Sequence, residues 1–182
     1  LMEEASKYYA NILMPLGPLI TRKIQEVTQL GVTPTMIAPS HGPVHKHPER
    51  IIDVYRKWSS GETKRKAIVV YVTMWNSTEK MIKPIEDTLM SEGIEVAKYH
   101  LPVSDLGDLA KDLVDSKAII LGTPTVLGGA HPLGMYAAYL AKALRPPAKF
   151  AVVLSSFGWG GGAIKHIQET LGPTKMEIVG AM

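Results

Sequence analysis

The chain's chemistry-bearing residues concentrate in three short stretches. The first is Thr73-Met74-Trp75-Asn76-Ser77-Thr78, followed by Glu79. It packs three hydroxyl side chains and one amide into six positions. It lies where an apolar run, AIVVYVT at 67–73, gives way to a helical pattern. Unpaired N–H groups at a helix start attract anions. The stretch has no Gly-Lys pair, which excludes a nucleoside-triphosphate loop, and it lacks the glycine pattern of a dinucleotide site. Hydroxyls without a lysine suit one monoester phosphate held by neutral donors. The ordinary alternative is a cap, with Asn76 capping and Glu79 answering three residues on.

The second stretch is Gly122-Thr123-Pro124-Thr125-Val126-Leu127-Gly128-Gly129. Proline and glycine make it stiff and poor in side chains, so a flat ligand can approach the backbone at Pro124–Gly128. The third is Ser155-Ser156-Phe157-Gly158-Trp159-Gly160-Gly161-Gly162. Four glycines beside two aromatics are costly to order, which a ligand or an interface would offset. Phe157 or Trp159 could flank a planar ring, or Trp159 could pack on a neighbouring subunit. Each loop alone also reads as a plain connection. Together they describe a phosphate holder and two holders of something flat, and flavin mononucleotide (FMN) fits that description.

No residue is singled out as catalytic. The chain of 182 residues contains no Cys, which removes thiolate catalysis, disulfides and Cys-ligated metal. His41, His45 and His47 invite a metal reading, but their spacing also suits exposed loop residues. Hydrophobic residues at 46% and charged residues at 20% give a globular balance. The net charge of +3 is uneven. Residues 1–66 hold ten basic and six acidic side chains; residues 67–182 hold ten and eleven. Part of the surplus is Lys64-Arg65-Lys66, which reads as a solvated linker. Cations clustered with aromatics are absent, so no nucleic-acid footprint is expected. No apolar run reaches a membrane span and no signal segment opens the chain, so a cytoplasmic protein is the expectation.

The elements that must position these loops follow from periodicity. Helices are expected from the start of the chain, with Ala5, Tyr9 and Ile12 on one face, then with Ile20, Ile24 and Val27. Thr35–Ala38 could be a strand, and Pro48 opens a helix with Ile51, Tyr55 and Trp58 inward. Ser59–Thr63 reads as a domain boundary, dividing the chain into 1–63 and 64–182. Beyond it come strands at 67–73, 95–99, 118–122, 150–155 and from 176. Between them lie helices at 78–92, 106–113, 132–144 (Met135, Tyr139 and Leu140 inward) and 163–171. Pro84 should kink the first of these. Alternating strands and helices imply an α/β fold with a parallel, doubly wound sheet, whose ligands bind beyond the carboxyl ends of its strands.

The strings TMWNSTEKM, GTPTVLGG and FGWGGGAIK, in this order, resemble the flavodoxin-like domain of flavodiiron proteins. YYANI at 8–12, APSHG at 38–42 and the helix ending in Tyr55 and Trp58 resemble the end of that family's metallo-β-lactamase-like domain. The resemblance implies a flavodoxin-like three-layer α/β/α domain with a five-stranded parallel sheet in the order 2-1-3-4-5. Before it would come the C-terminal segment of a metallo-β-lactamase-like αββα domain. It implies FMN held at its phosphate by Thr73, Met74, Trp75, Asn76, Ser77 and Thr78. The ring would lie against Pro124, Thr125, Val126, Leu127 and Gly128, and against Ser156, Phe157, Gly158, Trp159, Gly160 and Gly161. His41 would match a ligand of a diiron site whose other ligands are not in this sequence, so a fragment is expected, incomplete at both ends. The intact protein would reduce dioxygen to water or nitric oxide to nitrous oxide, passing electrons from FMN to the irons. Rubredoxin, a reduced deazaflavin coenzyme or an NAD(P)H-linked reductase would be the donor. A head-to-tail homodimer, or a dimer of dimers, would be the assembly. Competing readings are a free-standing flavodoxin-like electron carrier and a flavodoxin-fold NAD(P)H:quinone reductase.

Overall fold

The computed structural model describes residues 1–182. The chain opens with α1 (Met2–Tyr8), a π-helical turn (Tyr9–Leu13) and a 3-10 turn (Met14–Leu16), then α2 (Gly17–Gln29) and α3 (Pro48–Ser60). The rest alternates: β1 (Lys66–Tyr71), α4 (Ser77–Ser91), β2 (Glu95–His100), α5 (Leu106–Leu113), β3 (Ala118–Val126), β4 (Gly129–Ala130), α6 (Pro132–Leu144), β5 (Phe150–Ser156), α7 (Ala163–Leu171) and β6 (Glu177–Ala181). No helix is long and apolar enough to cross a membrane.

The sheet runs β2-β1-β3-β5-β6, and β4 pairs only with β3. It therefore has six strands where five were expected. The five parallel strands keep the expected order; the sixth is a two-residue antiparallel return at the end of β3. β1 is buried at every position, which is why it reads as an unbroken apolar run. The sheet packs two unequal cores. The larger joins Ile68, Val70, Ile119, Leu121 and Val153 to α5, α6 and α7. The smaller joins Ala67, Val69, Tyr71, Ile120 and Leu154 to Ile82 of α4.

Tyr9, Ala10 and Met14 are buried in the larger core. The N-terminal segment thus shares apolar packing with the sheet domain. Burial pushes the Tyr9 hydroxyl up to about 12. Tyr9 sits edge-on to Tyr55 and against Trp58, with centroids 5.5 and 5.2 Å apart. α3 ends at Gly61, whose φ of 74° supplies the left-handed turn that closes a helix, with Glu62 N–H bonding to the Lys57 carbonyl.

Several expectations are corrected. Thr35–Ala38 is not a strand; only Ile37 bridges, to His45, because no neighbouring strand extends the pairing. Lys64–Lys66 is a solvated linker only in part: Lys64 and Arg65 are exposed, but Lys66 is 6% exposed and begins β1. Its ammonium lies 2.9 Å from Asp112 and 3.2 Å from Asp115. Ile12 faces solvent, because the wide π turn rotates it away from the face that buries Tyr9. Val27 and Tyr139 are also exposed. In α6 the most deeply buried residues include Ala137, Ala138 and Ala141, since small residues let the helix approach the sheet closely, and Met135 and Leu140 pack against the same core. α4 runs unbroken through Pro84, which forgoes one helical hydrogen bond.

Candidate functional site

The segment after β1 leaves its backbone donors free. Val72 N–H still bonds to the Gly122 carbonyl, 3.0 Å away. From Thr73 to Asn76 no backbone N–H has a backbone acceptor. The first bond of α4 runs from Lys80 N–H to the Asn76 carbonyl, so the N–H groups of Ser77, Thr78 and Glu79 have no helical partner. Asn76 has a φ of 60°, a left-handed conformation that Asn tolerates better than most residues. Its side chain makes no cap bond. Glu79 does not complete a capping box either. Its carboxylate accepts from the Tyr71 hydroxyl at 2.9 Å. Burial, and then this bond, push Tyr71 up to about 12. The capping alternative is therefore not what the fold builds.

Two buried side-chain atoms have no hydrogen-bond partner: Thr73 Oγ1 and His100 Nε2. Thr73 lies within the loop itself. An unpaired buried hydroxyl beside free N–H groups is what a phosphate cradle needs, because three phosphate oxygens demand donors. His100 stacks on Tyr71 with centroids 5.0 Å apart. Thr78 is fully buried and its hydroxyl lies 3.0 Å from that of Ser156, tying the first loop to the end of β5.

The second stretch is a hairpin. β3 continues past its expected end to Val126, then Leu127 and Gly128 turn the chain into β4, with Val126 opposite Gly129. Both turn residues are left-handed, with φ of 50° and 79°. That is the geometry of a two-residue hairpin turn matched to strand twist. For Gly128 it is free; for Leu127 it costs about 1–2 kcal/mol. Pro124 is buried within β3 beside Ser156 of β5, and Thr125 Oγ1 lies 3.1 Å from Ser155 Oγ. His131 caps α6, its Nδ1 accepting from Leu133 N–H at 3.2 Å.

The second and third loops flank an open groove of about 520 Å³, lined by Thr125, Leu127, Gly128, Gly158, Trp159, Gly160 and Gly161. Leu127 and Trp159 are its two apolar side chains, and they are 104% and 105% exposed. Met74, Trp75 and Phe157 are also exposed at the same strand ends. Of the sequence-named residues, Thr73–Thr78 do not line this groove. Val126, Pro124 and Ser156 support it from the strands.

Contacts invisible to sequence reasoning hold the two loops together. A Cβ on Gly162 would lie 1.9 Å from the Gly128 carbonyl oxygen, and one on Gly129 would lie 2.6 Å from the His166 ring. The doubled glycines in GTPTVLGG and FGWGGGAIK were the available signal, but spacing did not say which one meets which.

A larger cleft of about 1350 Å³ lies among α1, α2, α3 and the 31–45 segment, and His41 and His45 line it. His41 is exposed, its ring 5.9 Å from that of Tyr8. No three His, Asp or Glu side chains gather anywhere as a metal site would require. The residues of this chain therefore do not fit a diiron pair by themselves.

No family model matches the chain. It is 42% identical over 180 residues to a nitric oxide reductase of Moorella thermoacetica, covering 98% of this chain and 45% of the relative. It is 39% identical over 186 residues to a coenzyme F420H2 oxidase of Methanothermobacter thermautotrophicus, covering 100% of this chain and 46% of the relative. The flavodiiron protein of Giardia intestinalis superposes with a TM-score of 0.89 at 26% identity, over 99% of this chain and 46% of that one. The chain belongs to the flavodiiron family. It spans about half the length of the curated relatives it matches.

Proposed function

We propose that this chain is the FMN-binding, electron-relaying part of a flavodiiron oxidoreductase, which in its intact form reduces dioxygen to water or nitric oxide to nitrous oxide. The observation that carries the reading is that the unpaired Thr73 hydroxyl and free loop N–H groups lie at the carboxyl end of β1, and the groove between the hairpin and the glycine loop lies at the carboxyl ends of β3 and β5, all at one rim of the same sheet. A flavin needs both: donors for a dianionic phosphate and a slot for a planar ring.

Bound FMN would supply one- and two-electron redox chemistry. This chain's residues bind and orient. Thr73 to Thr78 hold the phosphate by neutral donors, with Thr78 anchored on Ser156. Thr125, Leu127 and Gly128 on one loop and Gly158 to Gly161 on the other bound the ring. Backbone groups of a glycine loop approach closely where side chains cannot. Residues 1–63 are read as the end of a metallo-β-lactamase-like iron domain contributing His41, and residues 64–182 as the flavodoxin-like domain. A redox donor delivers electrons, rubredoxin or a reduced deazaflavin being the candidates. A cytoplasmic head-to-tail dimer completes the reading.

The test is the ultraviolet–visible spectrum of the purified chain after incubation with FMN, with the released chromophore identified. Flavin bands at one FMN per chain are expected. A colourless protein that takes up no FMN overturns the proposal.

A further inference from the structure

We propose that Tyr71 is a positioning residue for the phosphate site: its hydroxyl holds the Glu79 carboxylate away from the start of α4, so that the donors there stay open to a phosphate. The inference rests on the FMN reading above and deepens it. Glu79 is the third residue of α4, after Ser77 and Thr78, with Asn76 as the cap. A glutamate at that position reaches back to the backbone N–H of the cap residue. Such a bond would set a carboxylate where a phosphate would bind, on the same positive end of the helix and beside the unpartnered Thr73 hydroxyl. The chain therefore carries a competitor for its own anion site. Left to local preference, Glu79 would occupy one donor and place a negative charge next to the ligand's.

The fold draws Glu79 the other way. Tyr71, the last residue of β1, donates to Glu79 Oε1 at 2.9 Å. The Lys98 ammonium lies 3.8 Å from the same oxygen and 3.1 Å from Glu86 of α4. Tyr71 is itself fixed in place. It is buried, the His100 ring stacks on it, and the Lys98 ammonium lies 5.5 Å from its ring centroid. Both neighbours come from β2, where His100 is the register partner of Tyr71. A buried, stacked ring has little freedom to move its hydroxyl, so a rigid donor holds the carboxylate. Lys98 offsets part of its charge, which reduces the repulsion a phosphate at the helix start would meet. The result shows at the cap. Asn76 N–H has no backbone acceptor, the Asn76 side chain makes no cap bond, and the N–H groups of Ser77, Thr78 and Glu79 stay open.

The experiment is a double-mutant cycle read by FMN titration, comparing the unaltered chain with Tyr71→Phe, with Glu79→Ala and with the two changes together. Tyr71→Phe keeps the stacked ring and releases the carboxylate. FMN affinity should then fall about fivefold, the contribution of one helix cap. Glu79→Ala should bind FMN at least as tightly as the unaltered chain. In the Glu79→Ala background, Tyr71→Phe should change nothing. A merely structural tyrosine would lower affinity by the same factor in both backgrounds, and that result overturns the proposal. Unchanged affinity in Tyr71→Phe alone also overturns it. If circular dichroism shows that Tyr71→Phe does not fold, Lys98→Met takes its place in the same cycle. It should lower FMN affinity about twofold, the range of a partly exposed ion pair, and the fall should vanish with Glu79→Ala. A fall that persists there, or no fall at all, counts against the proposal in the same way. If the unaltered chain takes up no FMN, the FMN reading itself fails, and this inference with it. FMN uptake without coupling between the two positions would leave the FMN reading standing and remove only the role of Tyr71.

Discussion

Thr73 carries opposite consequences for the empty and the loaded site. Its buried hydroxyl has no partner in the chain, and an unsatisfied buried hydroxyl costs about 1–3 kcal/mol. Thr73→Val should therefore raise the stability of the flavin-free chain by about 1 kcal/mol in urea unfolding. The same change should weaken FMN by about tenfold or more, since a hydrogen bond to a charged group contributes about 1.5–3 kcal/mol. Riboflavin, which has no phosphate, should bind Thr73→Val unchanged in calorimetric titration. Equal losses for both ligands would place Thr73 at the ring instead. Thr73 was legible in the sequence because hydroxyls crowd the end of an apolar run. Asn76 was legible as a loop residue and not as a left-handed one. The alternative cap used the same letters, and only the backbone angle and the Tyr71–Glu79 bond separate the two.

At the scale of elements, β1 is held at its amino end by charge as well as by apolar burial. The Lys66 ammonium lies between the carboxylates of Asp112 and Asp115, and the Lys64 ammonium lies 2.6 Å from Asp115. Hydrogen bonding to Asp115 pushes Lys64 upward. Tyr99 also donates to Asp112, and burial followed by that bond drives its hydroxyl far upward. Lys66→Met would leave two neighbouring carboxylates without their buried cation. We expect a loss of about 3 kcal/mol in urea unfolding, toward the low end for a buried pair because the carboxylates are partly exposed. Flavin affinity should not change, because Lys66 begins β1 and the Thr73–Thr78 loop follows its other end. A loss below 1 kcal/mol would show the cation to be dispensable. A run of three basic residues gives no hint of this: charge alone does not say which side chain a strand turns inward. Tyr139 errs the other way. Its apolar ring suggested the core, but α6 approaches the sheet through alanines.

For the molecule as a whole, the first 63 residues are bound into the sheet domain by more than covalent continuity. Tyr9, Ala10 and Met14 join the core that contains Leu109, Ala110, Leu113 and Ala141. Lys7 pairs with Asp108 and Glu3 with Lys111 across the same contact, but these are surface pairs and contribute little. Removing residues 1–63 would expose the apolar faces of α5 and α6. The 64–182 chain should melt roughly 10 °C or more below the 182-residue chain, since each large buried side chain contributes about 1.5–3 kcal/mol. It should still take up FMN, because every loop of the proposed site lies beyond residue 64. Equal melting temperatures would make the two segments independent.

While the order of the parallel strands came only from the family resemblance, the α/β alternation and the three loops at the strands' carboxyl ends were legible in the amino-acid sequence. Those features are local: burial on both faces writes a continuous apolar run, helix faces write a period of 3.6, and turns write Gly, Pro and Ser. Tertiary structure alone decided the hairpin at Leu127–Gly128, the inward turn of Lys66, the face of α6 and the shared burial of Tyr9 with α5. It also decided that Gly162 meets Gly128 and that the Thr73 hydroxyl is left unpaired. Each of these depends on which distant segment arrives beside a residue. Composition and spacing, which describe neighbours along the chain, do not encode that separately from the fold.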